Sequence, residues 1–256
     1  MTHPYFAKTR HPRVLAHRGL TGPSGEEHPF WENTAGAFAA AHAAGAEYIE
    51  TDCRVSADGD VVLFHDETLE RLLGDARPVE QTGTAELAEM LAPHGGLLTV
   101  GDMLDAFPHT RFNIDVKTDA AAAPLGRIVA PHADRVLLTS FSDARRRRAV
   151  AAAVDAGAAL RPAVSAGRTR TALTRLLTGL RVSPARVLRE LDALQIPERH
   201  AGVTVLTPAL VRAAHRHGLE VHVWTVNEPD DMRRLIASGV DGIVTDRADL
   251  ALRTLA

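Results

Sequence analysis

Short apolar segments alternate along this chain with alanine-rich segments of helical periodicity. We interpret the apolar segments as β-strands near residues 14–18, 48–55, 111–117, 135–141, 159–164, 193–197, 220–226 and 242–246. The helical segments fall near residues 34–44, 86–92, 101–106, 120–130, 143–156, 168–179, 208–217, 229–238 and 248–255. Such alternation predicts a parallel sheet. Eight units predict an α/β fold of the TIM (β/α)8 barrel type, for which about 250 residues is usual.

The chain length and the remaining segments fit one such barrel. The chain has 256 residues, of which 45% are hydrophobic, enough for a sizeable core, and we predict a single domain over residues 1–256. Residues 61–66 are predicted to form an extra hairpin strand, and the irregular, polar residues 67–100 a small insertion after it. The alternative is an open doubly wound sheet. No GxGxxG sequence follows the first strand, which counts against a dinucleotide-binding fold of that kind.

Charge and composition restrict the partners that this chain is expected to have. The net charge of −3 gives no electrostatic reason to expect a nucleic-acid partner. Cys53 is the single cysteine, so no intramolecular disulfide is expected. Residues 1–13 have no signal-peptide pattern, and no apolar run approaches the roughly 20 residues of a membrane span. We therefore expect a cytoplasmic protein without stable membrane insertion; its oligomeric state has no signature in the sequence.

Two carboxylates and a histidine come together around one predicted hairpin. Glu50 and Asp52 are two residues apart on a strand, so they share one face, and their mutual repulsion is costly unless a cation lies between them. Asp58-Gly59 is a strong two-residue hairpin signal. Residues that pair across such a turn have numbers that sum to 117, so Asp52 is predicted to lie opposite His65.

The other polar candidates also follow predicted strands. A short apolar strand ends at His17-Arg18-Gly19, where the arginine offers a planar set of donors for phosphate. Asp115 and Lys117 are again two residues apart on one strand. Catalytic groups of TIM barrels lie at the carboxyl ends of the strands, and Phe141 and Trp224 fall near such ends too. The sequence therefore predicts a site at that end of the barrel.

Several short motifs occur in the order found in one known family. They are His17-Arg18-Gly19, Glu32-Asn33-Thr34, Glu50-x-Asp52, His65-Asp66, Asn113-Ile-Asp115-Val-Lys117 and Trp224-Thr225-Val226-Asn227. Together they resemble the glycerophosphodiester phosphodiesterase family, from about residue 14 to residue 246. The resemblance implies a TIM-barrel phosphodiesterase that uses a divalent cation and two histidines. The family usually has Glu-Ile-Lys where this chain has Asp115-Val116-Lys117, so the third metal ligand is one methylene shorter here.

The residues and the resemblance together suggest a role for each candidate. Glu50, Asp52 and Asp115 are predicted metal ligands, and their oxygen atoms favour Mg²⁺ or Ca²⁺, with Mn²⁺ also possible. His17 and His65 are predicted to share general acid and base catalysis. The predicted substrate-binding residues are Arg18 and Lys117 for the phosphate, Glu32 because the family motif includes it, and Phe141 and Trp224 for the glycerol. Asp246 at the end of the last strand either orients a site residue or caps the final helix, of which we favour the cap, and Arg145 to Arg148 are interpreted as a solvated outer surface.

The predicted reaction is hydrolysis of a small-molecule glycerophosphodiester to glycerol 3-phosphate and an alcohol such as choline, ethanolamine, glycerol or inositol. Either water or a neighbouring glycerol hydroxyl can be the nucleophile, and either histidine can be the acid. One alternative is a lysophospholipase D of the same fold, which acts on a substrate that carries a lipid chain. The other is a barrel that binds phosphorylated ligands without catalysis, although binding alone needs no pair of histidines.

Overall fold

The computed structural model describes residues 3–22 and 30–256. Its strands are β1 (Arg13–His17), β2 (Tyr48–Val55), β3 (Val61–Leu63), β4 (Arg111–Val116), β5 (Val136–Thr139), β6 (Ala163–Val164), β7 (Ala193–Ile196), β8 (Arg199–His200), β9 (Val203–Thr204), β10 (Glu220–Val223) and β11 (Gly242–Thr245). Its helices are α1 (Ala35–Ala43), α2 (Glu70–Leu73), α3 (Thr84–Leu91), α4 (Val100–Ala106), α5 (Asp119–Val129), α6 (Asp143–Asp155), α7 (Arg168–Gly179), α8 (Ala185–Leu188), α9 (Pro208–Arg216), α10 (Pro229–Ala237) and α11 (Ala248–Thr254).

Eight of the strands form a parallel barrel, as the alternation predicts. They pair in the order β6-β5-β4-β2-β1-β11-β10-β7, and a parallel bridge between Ser165 and Ala193 joins the two ends of the row. The alternative of an open doubly wound sheet is therefore wrong, because such a sheet keeps two unpaired edges. The predicted barrel, with its extra antiparallel strand β3 beside β2, is confirmed.

Side-chain caps set where many helices begin after their strands. The hydroxyl oxygens of Thr34, Thr99, Thr118, Ser142 and Thr207 each accept a hydrogen bond from the backbone N–H three residues later, at the starts of α1, α4, α5, α6 and α9. Such N-caps satisfy donors that a helix otherwise leaves unpaired. They fix the turn at which the chain leaves the barrel and begins each outer helix.

An aromatic plug closes the amino end of the barrel. The 3-10 turn Pro4–Phe6 places the buried rings of Tyr5 and Phe6 against Tyr48 and Leu15. Beside it, Glu220 accepts hydrogen bonds from Arg13 at 2.8 and 3.2 Å. Burial opposes ionisation of Glu220, but the hydrogen bonds from His222 and Arg13 outweigh it and lower the pKa of Glu220 to about 2. With this end filled, the carboxyl ends of the strands are the open end of the barrel.

The insertion predicted at residues 67–100 is a small lobe with its own core. It contains α2, α3 and short 3-10 turns. Leu69, Val79, Leu87 and Leu91 pack there against Val62 and Phe64 of the hairpin. This packing fixes the position of the segment that follows β3 and carries His65.

The hairpin itself differs from the prediction by one residue. Val55 pairs with Val61 and Cys53 with Leu63, so paired numbers sum to 116. The loop has three residues, 57–59, and is closed by a bond from Ser56 N–H to the Asp60 carbonyl. Gly59, at φ +93°, adopts the left-handed conformation that such a loop requires. Asp52 therefore lies opposite Phe64, and the prediction that it lies opposite His65 is wrong.

Two further features escaped the sequence patterns. The elements α8, β8 and β9 have two to four residues each, too few to show a period. Arg146 is only 2% exposed and donates to the Ser165 carbonyl, so the interpretation of residues 145–148 as a solvated surface is wrong at this residue.

Within the described ranges 3–22 and 30–256, every helix is too short or too polar to cross a membrane.

Candidate active site

A cavity of about 190 Å³ opens at the carboxyl ends of the barrel strands. Nine of the predicted site residues line it: His17, Arg18, Glu50, Asp52, His65, Asp115, Lys117, Phe141 and Trp224. Asn113, Thr139, Ser140, Ala166, Gln195, Thr225 and Val244 also line it, and sequence reasoning did not propose them. The volume is below the roughly 300–1,000 Å³ of pockets for drug-sized ligands, which suits a small substrate.

Strand register gathers the three carboxylates. Glu50 and Asp52 lie on β2, and the pairing of β2 with β4 puts Asp52 directly beside Asp115. Glu50, Asp52 and Asp115 are 8%, 1% and 8% exposed, respectively. Three buried carboxylates so close together repel one another and require positive charge nearby.

Two cations of the chain supply part of this charge. Lys117 Nζ lies 2.8 Å from Asp52 Oδ1 and 2.6 Å from Asp115 Oδ2. Arg18 Nε lies 2.9 Å from Asp52 Oδ2. Burial opposes ionisation of Asp52, but Lys117 and Arg18 outweigh it and lower the pKa of Asp52 to about 2. Among residues 3–22 and 30–256, the basic group paired with Glu50 is His17 at 3.8 Å, and burial together with the charge of Asp52 raises the pKa of Glu50 to about 7.

His17 is held by a carboxylate from the last strand of the barrel. Its Nδ1 lies 2.6 Å from Asp246 Oδ1, and its Nε2 lies 3.8 Å from Glu50 Oε2. Burial opposes protonation of His17, but the hydrogen bond with Asp246 and the charge of Glu50 outweigh it, so the pKa of His17 is raised. Asn227 in turn donates to Asp246 Oδ2 at 2.8 Å. The interpretation of Asp246 as a helix cap is wrong, because α11 begins after Arg247 without a side-chain cap.

His65 has an equivalent support from the insertion. Its Nδ1 lies 2.6 Å from Asp66 Oδ1, and Arg71 of α2 donates to the other oxygen of Asp66. Burial, which Asp52 offsets only in part, lowers the pKa of His65. Both histidines thus bind a carboxylate through Nδ1, which leaves Nε2 without that contact. Because their pKa values shift in opposite directions, the two rings differ in their tendency to carry a proton at neutral pH.

Glu32 lies behind the cavity wall and does not line it. One of its oxygens accepts from Arg18 Nη1 at 3.0 Å and from Arg71 Nη2 at 2.6 Å. The other accepts from Arg71 Nη1 at 3.1 Å. Both oxygens of Glu32 are occupied by arginines, so Glu32 connects Arg18 to the support of His65. This geometry argues against the predicted direct contact between Glu32 and substrate.

Aromatic side chains form the remaining wall. The rings of Phe141 and Trp224 lie with their centroids 6.1 Å apart. Phe141 is 44% exposed, with the Arg168 guanidinium 4.2 Å and Lys117 Nζ 5.6 Å from its ring centroid. The cavity therefore has a charged side on β1, β2 and β4, and an apolar side that reaches the surface.

The carboxylates keep oxygen atoms that the chain itself does not satisfy. Within the described residues, Glu50 Oε2, Asp115 Oδ1 and the amide oxygen of Asn113 are buried and have no hydrogen-bond partner, whereas Asp52 Oδ2 lies in the ion pair with Arg18. No three histidine, cysteine, aspartate or glutamate side chains form a metal-binding group within residues 3–22 and 30–256. Orphaned oxygens on acidic side chains are nonetheless the donors that a hard divalent cation prefers, so the donor set fits such an ion.

Comparisons with known proteins agree with this geometry. A sequence model of the glycerophosphoryl diester phosphodiesterase family matches residues 17–250. The probable glycerophosphodiester phosphodiesterase 2 of Mycobacterium tuberculosis is 38% identical over 241 residues, which cover 93% of this chain and 88% of that protein. Lysophospholipase D GDPD1 of Homo sapiens is 25% identical over 272 residues, which cover 91% of this chain and 82% of that protein.

A solved structure shares the fold. The phosphodiesterase of Oleispira antarctica, in complex with the product sn-glycerol-3-phosphate, matches with a TM-score of 0.71 and 20% identity. The match covers 96% of this chain and 97% of that one. From the family match and the Mycobacterium relative, the chain belongs to the glycerophosphoryl diester phosphodiesterase family.

Proposed function

We propose that this phosphodiesterase hydrolyses glycerophosphodiesters to glycerol 3-phosphate and an alcohol, with His17 and His65 as the acid–base pair and with a divalent cation on the carboxylates. The observation that carries the proposal is that two histidines, each bound through Nδ1 to its own carboxylate, line one cavity with three acids and two cations. A phosphodiester is an anion that resists attack by nucleophiles, and hydrolysis must both neutralise it and move two protons.

Arg18 and Lys117 supply donors for the phosphate. Lys117 uses donors on Asp52 and Asp115, and an ammonium group has three, so one stays free for a substrate oxygen. Arg18 uses Nη1 on Glu32 and Nε on Asp52, and a guanidinium has five N–H donors. Their acidic partners hold both cations in place before the substrate arrives, which lowers the cost of ordering them.

Glu50, Asp52 and Asp115 are the residues that would hold the divalent cation. The unsatisfied buried oxygens of Glu50 and Asp115 support this assignment, and an all-oxygen donor set favours Mg²⁺ or Ca²⁺, with Mn²⁺ possible. Such an ion would neutralise a phosphate oxygen and orient the phosphorus for attack. The cation would also relieve the repulsion that keeps the pKa of Glu50 raised.

The two histidines divide the proton transfers. One Nε2 takes the proton of the nucleophile, either water or a neighbouring glycerol hydroxyl, as the new P–O bond forms. Attack by the hydroxyl gives a cyclic phosphate, which water then opens to glycerol 3-phosphate. The other Nε2 gives a proton to the alcohol oxygen as the old P–O bond breaks. Asp246 and Asp66 keep Nδ1 protonated and fix each ring, which is the requirement for transfer at Nε2.

Phe141 and Trp224 form the apolar side on which the carbon skeleton of the substrate would pack. Because Phe141 is 44% exposed at the opening, an acyl chain could also leave the cavity along it. This exposed aromatic supports a lysophospholipase D activity as the second candidate. A barrel that only binds ligands is disfavoured, because it needs no carboxylate behind each histidine.

One assay tests the proposal. Release of glycerol 3-phosphate is measured from glycerophosphocholine, glycerophosphoethanolamine, glycerophosphoglycerol and glycerophosphoinositol, before and after chelation. Release of lysophosphatidic acid is measured from a lysophospholipid in parallel. We expect turnover of a glycerophosphodiester that chelator abolishes and Mg²⁺, Mn²⁺ or Ca²⁺ restores. Full activity in excess chelator would refute the metal-assisted mechanism, and turnover of the lysophospholipid alone would favour the second candidate. Cytoplasmic location and the lack of a nucleic-acid partner stay predictions of the sequence.

A further inference from the structure

Positive charge is concentrated in one part of the chain that the active site does not use. Residues 168–217 contain nine arginines and three acidic residues, a net charge of +6 in a chain whose net charge is −3. Two of those acids are already paired, Asp192 with Arg161 and Glu198 with Arg234. This part of the surface is therefore strongly basic although the whole protein is slightly acidic.

Most of these arginines have no partner among the residues that the structure describes. In the described part of the chain, six of them make no ion pair and no side-chain hydrogen bond: Arg170, Arg181, Arg186, Arg189, Arg212 and Arg216. Elsewhere, most arginines form ion pairs or donate to carbonyls, as Arg135 does to three of them. Guanidinium groups without intramolecular partners are available to bind an external anion.

Three of the unpaired arginines surround one open surface cavity. Arg181, Arg212, Arg216 and His217 line a cavity of about 370 Å³ between the end of α7 and α9. Arg181 has φ +60°, in the left-handed region, at the position after a helix where glycine is the usual residue. An arginine there is strained, and strained residues occur where a side chain is needed for a function.

Exposed apolar side chains follow α7 towards its end at this cavity. Leu173, Leu176 and Leu180, spaced so that they share one face of α7, are 42%, 55% and 64% exposed. Val182 is 52% exposed and lines the cavity with Arg181. Adjacent exposed leucines and valine are unusual on a free surface and indicate a binding partner with apolar parts.

We propose that Leu176, Leu180, Arg181, Val182, Arg212 and Arg216, the α7–α9 face, bind the surface of a membrane that contains anionic phospholipids. The arginines would bind lipid phosphates, and the leucines and valine would enter the interfacial layer. A nucleic acid or free phosphate would satisfy the arginines but leave the leucines in water, whereas a lipid surface satisfies both. This contact is peripheral and is compatible with the absence of a membrane-spanning helix in the described residues.

The course of α7 relates this face to the active site by distance, because the helix runs away from the catalytic opening. Arg168, its first residue, stacks on Phe141 at the opening of the catalytic cavity. The cavity of Arg181, Arg212 and Arg216 lies at the other ends of α7 and α9, towards the amino side of the barrel. A protein bound through the α7–α9 face would therefore be held at a lipid surface with its catalytic opening left uncovered. The inference does not depend on the proposed metal or on the histidine roles.

Vesicle co-sedimentation of the full-length protein tests the proposal. The vesicles are phosphatidylcholine alone or an equal mixture of phosphatidylcholine and phosphatidylglycerol. We expect binding to the mixed vesicles that weakens as salt is added, and little binding to phosphatidylcholine alone. Each arginine near an anionic surface strengthens binding roughly fivefold, so Arg181→Gly with Arg212→Gln and Arg216→Gln should weaken it about a hundredfold. The pair Leu176→Ser and Leu180→Ser should weaken it roughly tenfold.

The controls separate charge, folding and the kind of ligand. Arg181→Gly relieves backbone strain, so this variant should unfold no earlier than the parent. Arg147→Gln removes an exposed, unpaired arginine on α6 and should leave vesicle binding unchanged. Equal binding by the triple variant and the parent, or no binding to mixed vesicles at low salt, would overturn the proposal. So would binding of inorganic phosphate or a short DNA duplex at this face without any binding to vesicles.

Discussion

Asp246→Asn is the substitution that most directly tests how His17 is held. Asp246 Oδ1 lies 2.6 Å from His17 Nδ1, and Asn227 Nδ2 donates to Asp246 Oδ2 at 2.8 Å. The amide of Asn227 cannot rotate without losing two hydrogen bonds. Its oxygen accepts one from Thr245 Oγ1 and one from the backbone N–H of Asp246, both at 3.0 Å. The side chain at position 246 must therefore accept a hydrogen bond from His17 on one side and from Asn227 on the other.

An asparagine at position 246 can accept on one side only. If its oxygen faces His17, its NH₂ faces the NH₂ of Asn227, and two donors oppose each other. If it rotates, its NH₂ faces His17 Nδ1 and selects the tautomer with the proton on Nε2. A hydrogen bond to a charged group contributes about 1.5–3 kcal/mol, and each 1.36 kcal/mol is tenfold in rate. We therefore expect kcat to fall by roughly 10- to 150-fold.

Steady-state kinetics with a pH profile measure this effect. Loss of the carboxylate removes a main cause of the raised pKa of His17, so the ionisation assigned to that ring should move to lower pH. The matched control is Asp249→Asn on α11, whose carboxylate pairs with the exposed Arg253. A variant of Asp246 with kcat within about threefold of the parent and an unchanged pH profile would refute the positioning role.

Three further predictions concern the acid–base pair, the metal and the fold. His17→Ala and His65→Ala should each lower kcat by roughly 10²–10⁴, with far less than additive effects in the double variant; a variant with near-normal kcat would show that its histidine is structural. Asp115→Glu should retain activity and can shift the preference between Ca²⁺ and Mg²⁺, while Asp115→Asn should bind metal more weakly by titration; equally tight binding would show that Asp115 is not a ligand. Glu220→Gln should destabilise the fold by about 3 kcal/mol at pH 7, because the depressed pKa of Glu220 stabilises the folded state above its ordinary value of 4.5 and this contribution is lost as pH falls towards about 2. Urea denaturation at pH 7 and pH 3 should show the difference between variant and parent shrinking at the lower pH, and an unchanged difference would contradict it.

The barrel could be predicted from the sequence because its signals are local. Each apolar strand and each amphipathic helix shows its period within about ten residues, and eight alternating units leave few ways to bury both faces of a sheet. The nine cavity residues were found for the same reason, since each lies in or shortly after a strand and the parallel strands end at one level. The roles of the metal ligands and the histidines stay predictions.

What only the tertiary structure decided depends on contacts between distant segments. The hairpin register shifted by one residue because the loop around Gly59 took three residues, which a dipeptide signal does not distinguish. Asp246 could be recognised as the partner of His17 only when closure of the barrel brought β11 beside β1. Arg71 reaches Asp66 because the insertion folds on its own small core. The basic, apolar α7–α9 face likewise forms only when α9 packs against α7, because no sequence period relates residues in two separate helices.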